Sequence, residues 1–236
     1  MKKPQLFLLH FAGGNAWSFD FLKPYLQNFD VVVPELPGRG KRMAEPLLTE
    51  FSQGVADVYQ HVTGKLSGPP FFIYGHSMGA YLTLKLGHML EQNGYRPAAL
   101  IVSGNAGPHP EATRKKYYRM PHHVFLKELE ELGGIPPDIL SNPEYFEYFE
   151  PMLRADFELS EEHGLIQDFA VKAPIYAMMG TEEEGAGNIA NWQRFTASWF
   201  RYETLPGGHF FIHHHPERIA AVINYCYRSA TNFQHL

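Results

Sequence analysis

The stretch Phe71-Phe72-Ile73-Tyr74-Gly75-His76-Ser77-Met78-Gly79-Ala80 constrains this chain more than any other. Four apolar or aromatic residues run together, as in a strand buried on both faces. A tight G-x-S-x-G turn follows. Then Tyr81-Leu82-Thr83-Leu84-Lys85-Leu86-Gly87-His88-Met89-Leu90 reads as a helix. A turn this sharp is strained, and it lifts the Ser77 hydroxyl clear of the backbone at the strand's carboxyl end. Gly75 and Gly79 suit such a turn because neighbouring backbone comes close and a side chain would clash. The helix N-terminus beneath Ser77 favours negative charge, which an oxyanion forming beside a serine nucleophile would need.

Taken in order, the rest of the chain alternates between strand-like and helix-like segments. Gln5 to Leu9 reads as a strand and His10-Phe11-Ala12-Gly13-Gly14 as the loop leaving it. Trp17 to Tyr25 is helix-like, with Trp17, Phe21 and Leu22 on one face. Val31 to Val33 is a strand, and Leu36-Pro37-Gly38-Arg39-Gly40-Lys41-Arg42 is a loop by its turn chemistry. Phe51 to Leu66 has helical spacing. Leu100 to Val102, Ile175 to Met179 and, less cleanly, Phe200 to Leu205 read as further strands, and Ile219 to Tyr227 as a closing helix. Apolar strands alternating with helices predict a mostly parallel sheet with helices on both faces.

One stretch breaks the alternation. No β-pattern occurs from about Pro110 to Gly164, more than a single crossover needs. Val124 to Leu132 and Glu144 to Leu153 read as amphipathic helices, the second turning Tyr145, Phe149, Met152 and Leu153 inward. This predicts a helical lid over the carboxyl ends of the strands, residues 110–165, within one domain spanning 1–236. Residues 122–162 hold eleven acids against Lys127 and Arg154, so the predicted lid is acidic and the remainder weakly basic.

A net charge of −5 without a basic stripe argues against a nucleic-acid partner. No apolar run approaches the length needed to span a bilayer, so no membrane partner is expected. Lys2-Lys3 before Leu6-Phe7-Leu8-Leu9 superficially resembles a secretory signal, but the apolar run is short and His10 interrupts it. The single cysteine, Cys226, rules out an internal disulfide framework and fits a reducing, cytoplasmic compartment. The expected state is a monomer. His213-His214-His215 does not read as a metal site, since consecutive residues cannot all face one ion in regular structure. Neither a metal nor a cofactor is called for.

Strand, turn and helix around Ser77 resemble the nucleophile elbow of α/β-hydrolases, whose triads run Ser, acid, His along the chain. A serine hydroxyl needs a base within hydrogen-bond reach, and the base needs an orienting acid. The base is then expected after the last strand, where His209 sits in Pro206-Gly207-Gly208-His209-Phe210-Phe211. The acid is expected after the penultimate strand, where Glu182, Glu183 and Glu184 stand side by side and no aspartate does. Glu183 is favoured, and sequence alone leaves all three open. Oxyanion donors are expected at the backbone N–H of Met78 and at a backbone N–H of the first strand's exit loop, most plausibly Ala12.

Several motifs together resemble the type II thioesterases of non-ribosomal peptide and polyketide synthesis, of the α/β-hydrolase superfamily. They are His10-Phe11-Ala12-Gly13-Gly14, Pro37-Gly38-Arg39-Gly40-Lys41-Arg42 with Glu45-Pro46, Gly75-His76-Ser77-Met78-Gly79-Ala80, Glu131-Leu132-Gly133-Gly134-Ile135-Pro136-Pro137, Leu153-Arg154-Ala155-Asp156-Phe157 and Pro206-Gly207-Gly208-His209-Phe210-Phe211. The likeness runs from about residue 6 to 220, and its lid motifs set it apart from general esterases. It implies Ser77 as nucleophile, His209 as base, and Ala12 and Met78 as oxyanion donors. The family's usual acid is an aspartate three residues after the strand-ending glycine; counting from Gly180 reaches Glu183, the same position with a different residue. Synthase-embedded thioesterase domains place the acid after the strand that follows the elbow strand. Here that site reads Ser103-Gly104-Asn105-Ala106, without a carboxylate.

The implied activity is hydrolysis of acyl thioesters from the phosphopantetheine arm of an acyl or peptidyl carrier protein, clearing stalled or misprimed synthases of antibiotic pathways. A general carboxylesterase, a medium-chain fatty acyl thioesterase and a non-catalytic scaffold are the alternatives. Carrier proteins are typically acidic, so docking is expected at Arg114, Lys115, Lys116 and Arg119, or at Arg39, Lys41 and Arg42.

Overall fold

Among the described residues, six strands form one sheet in the order β2-β1-β3-β4-β5-β6, every neighbouring pair parallel. They are β1 (Gln5–Leu9), β2 (Asp30–Val32), β3 (Phe71–His76), β4 (Ala99–Ser103), β5 (Ile175–Gly180) and β6 (Phe200–Leu205). This computed structural model describes residues 2–68, 70–108, 115–164 and 169–232. Between and after the strands run α1 (Phe51–Lys65), α2 (Met78–Gln92), α3 (His122–Leu132), α4 (Pro137–Leu140), α5 (Pro143–Glu161) and α6 (Pro216–Asn232).

The apolar runs explain the layers. In β1, Phe7 and Leu9 point to the face covered by α1 and α2, while Leu6 and Leu8 point to the face covered by α6. The other inner strands alternate in the same way, so each face gains its own core. The sheet is mostly parallel with helices on both faces, as the pattern predicts. The two edge strands, β2 and β6, are the exceptions in burial and stand partly exposed.

Between β4 and β5 the chain leaves the sheet for α3, α4 and α5. Phe125, Leu129, Leu140, Phe146 and Leu153 form a third, separate apolar cluster there. The residues expected at 110–114 and at 165 lie outside the described residues.

Two segments differ from the sequence reading. The stretch from Trp17 to Tyr25 is a 3-10 helix over Asp20–Tyr25 rather than a longer helix. Pro24 has no N–H to give, and Phe19 and Leu22 fill the core while Trp17 stands 57% exposed. In α5 the buried face is Phe146 and Leu153, and Tyr145 is 57% exposed. Five nearly consecutive aromatic and acidic residues leave the helix's rotation ambiguous by one position. α5 also continues to Glu161, well past Leu153, and so carries Arg154 to Phe157 in helical register.

Candidate active site

Ser77 sits between β3 and α2 with φ 56° and ψ −116°, the one non-glycine residue with positive φ among the described residues. Such strain persists only where surrounding structure enforces it. A Cβ on Gly75 would run into the Gly79 carbonyl, and a Cβ on Gly79 into the Leu9 carbonyl of β1, so only glycine lets the turn close this tightly. The Ser77 N–H donates to the Ser103 carbonyl at 2.8 Å, and the Asn105 side-chain amide donates to the Ser77 carbonyl at 2.8 Å. The elbow is thus pinned to the end of β4.

His209 arrives from the loop after β6. Its Nε2 lies 2.9 Å from Ser77 Oγ, and its Nδ1 lies 2.7 Å from Glu183 Oε2. The imidazole is 14% exposed and the carboxylate 5%. The second Glu183 oxygen accepts the Gly180 N–H at 2.7 Å, which fixes the carboxylate at the end of β5. Glu182 and Glu184, its neighbours on either side, are exposed. The ambiguity among three adjacent glutamates is therefore one of direction: only Glu183 turns inward to the ring.

Packing holds the imidazole in place. The His209 ring lies 5.1 Å from Phe210 and 5.1 Å from His76, centroid to centroid. His76 is fully buried, and burial drives its pKa well below the usual histidine value, so it remains an uncharged wall. Its Nδ1 meets Ser103 Oγ at 2.9 Å, and Ser103 Oγ meets the Tyr74 hydroxyl at 2.8 Å. Ser103, at the end of β4, thus anchors this polar chain. The three consecutive histidines serve structure: the His215 ring donates to the Pro206 carbonyl at 2.8 Å, and His213 stacks on Phe210. No group of side chains with metal-binding arrangement occurs among the described residues.

The Met78 N–H opens α2 and has no intrahelical acceptor to meet. Ala12 lies in the loop after β1, and among the described residues neither its N–H nor that of Met78 is taken up by an internal acceptor. Both stay available to a ligand beside Ser77.

Two cavities meet at Ser77 and His209. One, of about 270 Å³, is walled by apolar side chains, among them Leu132, Ile135, Ile139, Met152, Leu153 and Phe210. The other, of about 420 Å³, is more polar and includes Tyr81, Asn105, Lys115, Tyr117, Glu161 and Glu184. One Glu161 oxygen accepts the Tyr117 N–H at 2.9 Å, and the other is buried without a hydrogen-bond partner among the described residues. Burial pushes the Glu161 carboxyl up to about 7. A folded-state pKa above the unfolded one means that stability is highest below about 4.5 and falls as pH rises through 7. Glu161→Gln is therefore expected to match wild type in thermal melts at pH about 4 and to exceed it by a few degrees at pH about 8. Parallel melting curves at all pH values would contradict this.

The expected docking cations are mostly engaged. Arg39 is buried in an ion pair with Asp156, so it is no docking residue. Lys115 pairs with Glu128, Lys116 with Glu162, and Arg42 with both Glu45 and Asp57. Their charges are largely cancelled locally; Lys41 and Arg119 remain exposed, while Arg114 lies outside the described residues.

What sequence reasoning missed is the Arg39–Asp156 pair itself. A signal existed: an aspartate amid Leu153, Ala155, Phe157 and Leu159, on a helix that otherwise buries apolar residues there.

A family model described as a thioesterase domain matches residues 4–226. The linear gramicidin dehydrogenase LgrE of Brevibacillus parabrevis is 31% identical over 225 residues, covering 92% of this chain and 85% of that protein. Among solved structures, ClbQ from the colibactin NRPS/PKS pathway is 27% identical with a TM-score of 0.90, covering 98% of this chain and all of ClbQ. YbtT, a type II thioesterase from the yersiniabactin NRPS/PKS pathway, is 25% identical with a TM-score of 0.86, covering 97% of this chain and 94% of YbtT.

Proposed function

The chain belongs to the thioesterase domain family, and from that premise we propose that it is an editing hydrolase of acyl groups held as phosphopantetheine thioesters on carrier proteins. The observation that carries this reading is the relay Ser77–His209–Glu183, with contacts of 2.9 and 2.7 Å, at the junction of an apolar and a polar cavity. The acyl chain fits the apolar side, and the amide-bearing pantetheine arm fits the polar side, where Asn105, Tyr117 and Glu161 offer hydrogen-bond partners.

The chemistry follows from the geometry. Ser77 Oγ attacks the thioester carbonyl while His209 Nε2 takes its proton, and Glu183 holds the ring with Nε2 toward the serine. The carbonyl oxygen gains negative charge and accepts from the Ala12 and Met78 N–H groups. As the tetrahedral intermediate collapses, the C–S bond breaks and His209 returns the proton to the departing thiol. Water then gives a proton to His209 and attacks the acyl-serine ester. Release of the carboxylic acid returns the proton to Ser77. The cycle consumes only water.

α3 to α5 act as a lid over this site, and the residues they contribute to the apolar cavity shield the ester from bulk water. The loop after β1 reads His10-Phe11-Ala12-Gly13-Gly14, not the G-x-G-x-x-G that cradles a dinucleotide, so the dehydrogenase name of one relative does not carry over. The reading places the protein in the cytoplasm as a monomer meeting a separate carrier. The compartment rests on the lone buried cysteine, which fits a reducing environment.

The test is intact-mass analysis of carrier proteins loaded with several acyl groups, after incubation with the enzyme. Loss of the acyl mass with retention of the phosphopantetheine mass is expected, at a kcat/KM well above that for nitrophenyl esters. Equal or better turnover of nitrophenyl esters would make the protein a general esterase.

A further inference from the structure

Asp156 sits on α5, more than a hundred residues from the loop after β1, yet its carboxylate reaches that loop's backbone. Asp156 Oδ2 accepts the Gly13 N–H at 2.8 Å. The same carboxylate is held by a two-pronged contact from Arg39, Nη1 to Oδ2 at 2.6 Å and Nη2 to Oδ1 at 2.7 Å. Arg39 Nη1 also donates to the Gly14 carbonyl at 3.2 Å. The Arg39 side chain is 3% exposed and that of Asp156 is fully buried.

A second contact from α5 acts at the same spot. Gly13 has φ +76°, and a Cβ built there would stand 2.6 Å from Leu153 Cδ2. The loop is thus gripped at Gly13 by the hydrogen bond its N–H donates to Asp156 and by the packed side chain of Leu153, one helical turn apart on α5. The neighbouring residue is Ala12.

We propose that Asp156, oriented by Arg39, is a positioning residue that sets the oxyanion donor: by fixing the Gly13 N–H it locks the Ala12–Gly13 peptide and so restrains the backbone torsions of Ala12, which hold the preceding Phe11–Ala12 peptide with the Ala12 N–H toward the substrate oxygen. The site is then complete only while α5 is seated, because the helical cover supplies the group that shapes the loop. This rests on the assignment of Ala12 as an oxyanion donor. It extends that assignment from the residue that donates to the pair of residues that aim it. The physical basis is that an oxyanion donor acts through preorganisation, so a small rotation of one peptide costs rate without costing substrate affinity. A buried bidentate arginine–carboxylate pair supplies the rigidity.

The experiment compares wild type, Asp156→Asn and Arg39→Met/Asp156→Leu. The single variant leaves a buried arginine without its full counter-charge. The double variant removes both charges and replaces them with apolar bulk, an exchange that buried pairs commonly tolerate. Three quantities are read: the rate of Ser77 labelling by a fluorophosphonate probe, kcat and KM for a nitrophenyl ester, and hydrogen exchange of the Gly13 amide. In the folded double variant, labelling rate and kcat are expected to fall about 10- to 300-fold, with KM changed less than about threefold, since removing an oxyanion donor outright costs about 10²–10³. The Gly13 amide is expected to be strongly protected in wild type and to lose protection in both variants. A folded double variant that labels at the wild-type rate would show the pair to be structural only and overturn the proposal. If the double variant does not fold, a folded Asp156→Asn enzyme at the wild-type rate overturns it, and so does rapid exchange of Gly13 in wild type, which needs no variant. Labelling requires neither thioester nor carrier. Failure on loaded carriers with normal labelling would therefore sink the substrate assignment and leave this one standing.

Discussion

Replacing Ser77 by alanine is expected to lower kcat on an acyl-loaded carrier by about five to six orders of magnitude, as removal of the nucleophile does in serine hydrolases whose triad acts as a unit. The residue is partly exposed, and among the described residues its hydroxyl makes one hydrogen bond, with His209 Nε2. The melting temperature should therefore move by no more than about 2 °C, the scale for a substitution that opens no core cavity. Fluorophosphonate labelling should vanish with the activity. Intact-mass kinetics on the carrier, run beside a thermal melt, decide the matter. Undiminished turnover in the folded variant would place the nucleophile elsewhere and dismantle the mechanism.

The second large effect separates three adjacent glutamates. Glu183→Gln is expected to cost about 10³–10⁴ in kcat, because an amide that presents its N–H to His209 Nδ1 selects the wrong ring tautomer, as in triads whose acid is made an amide. Glu182→Gln and Glu184→Gln, altering exposed side chains, should change kcat by less than about twofold. The three variants differ by one atom type at one of three neighbouring positions, so a common effect on folding cannot mimic the pattern. Glu183→Asp adds a graded case. It draws the carboxylate back by about 1.5 Å. One oxygen now meets the Gly180 N–H and the other meets His209 Nδ1. A shorter side chain cannot hold both positions without backbone movement, so an intermediate loss is expected. Small, equal losses across Glu182, Glu183 and Glu184 would move the acid elsewhere.

Ser77 and His209 were legible because their chemistry is tied to chain topology. A serine in a strand–turn–helix junction and a histidine after the last strand must both emerge at the carboxyl ends of a parallel sheet. Among Glu182, Glu183 and Glu184 the residues alone left the choice open, since a loop's side-chain directions carry no periodicity; the count of three from Gly180 favoured Glu183. Arg39 was misread because an arginine between two glycines has the composition of a solvated turn. Its burial depends on Asp156, 117 positions away, and no local pattern encodes that pairing. Tyr145 was misplaced for a different reason. In Tyr145-Phe146-Glu147-Tyr148-Phe149 the aromatics occupy several faces of the helix, so the hydrophobic stripe does not fix the rotation; the apolar cluster with Phe125 and Leu129 does.

That cluster has a consequence for how such proteins diversify. Phe125, Leu129, Leu140, Phe146 and Leu153 pack chiefly on one another rather than on the two cores flanking the sheet. Mutations among them can remodel the neighbouring chamber while the triad's supporting framework keeps its fit. New chain-length preferences are then within reach by drift in a few positions of α3 to α5, under the restriction that Asp156 and Arg39 are both kept.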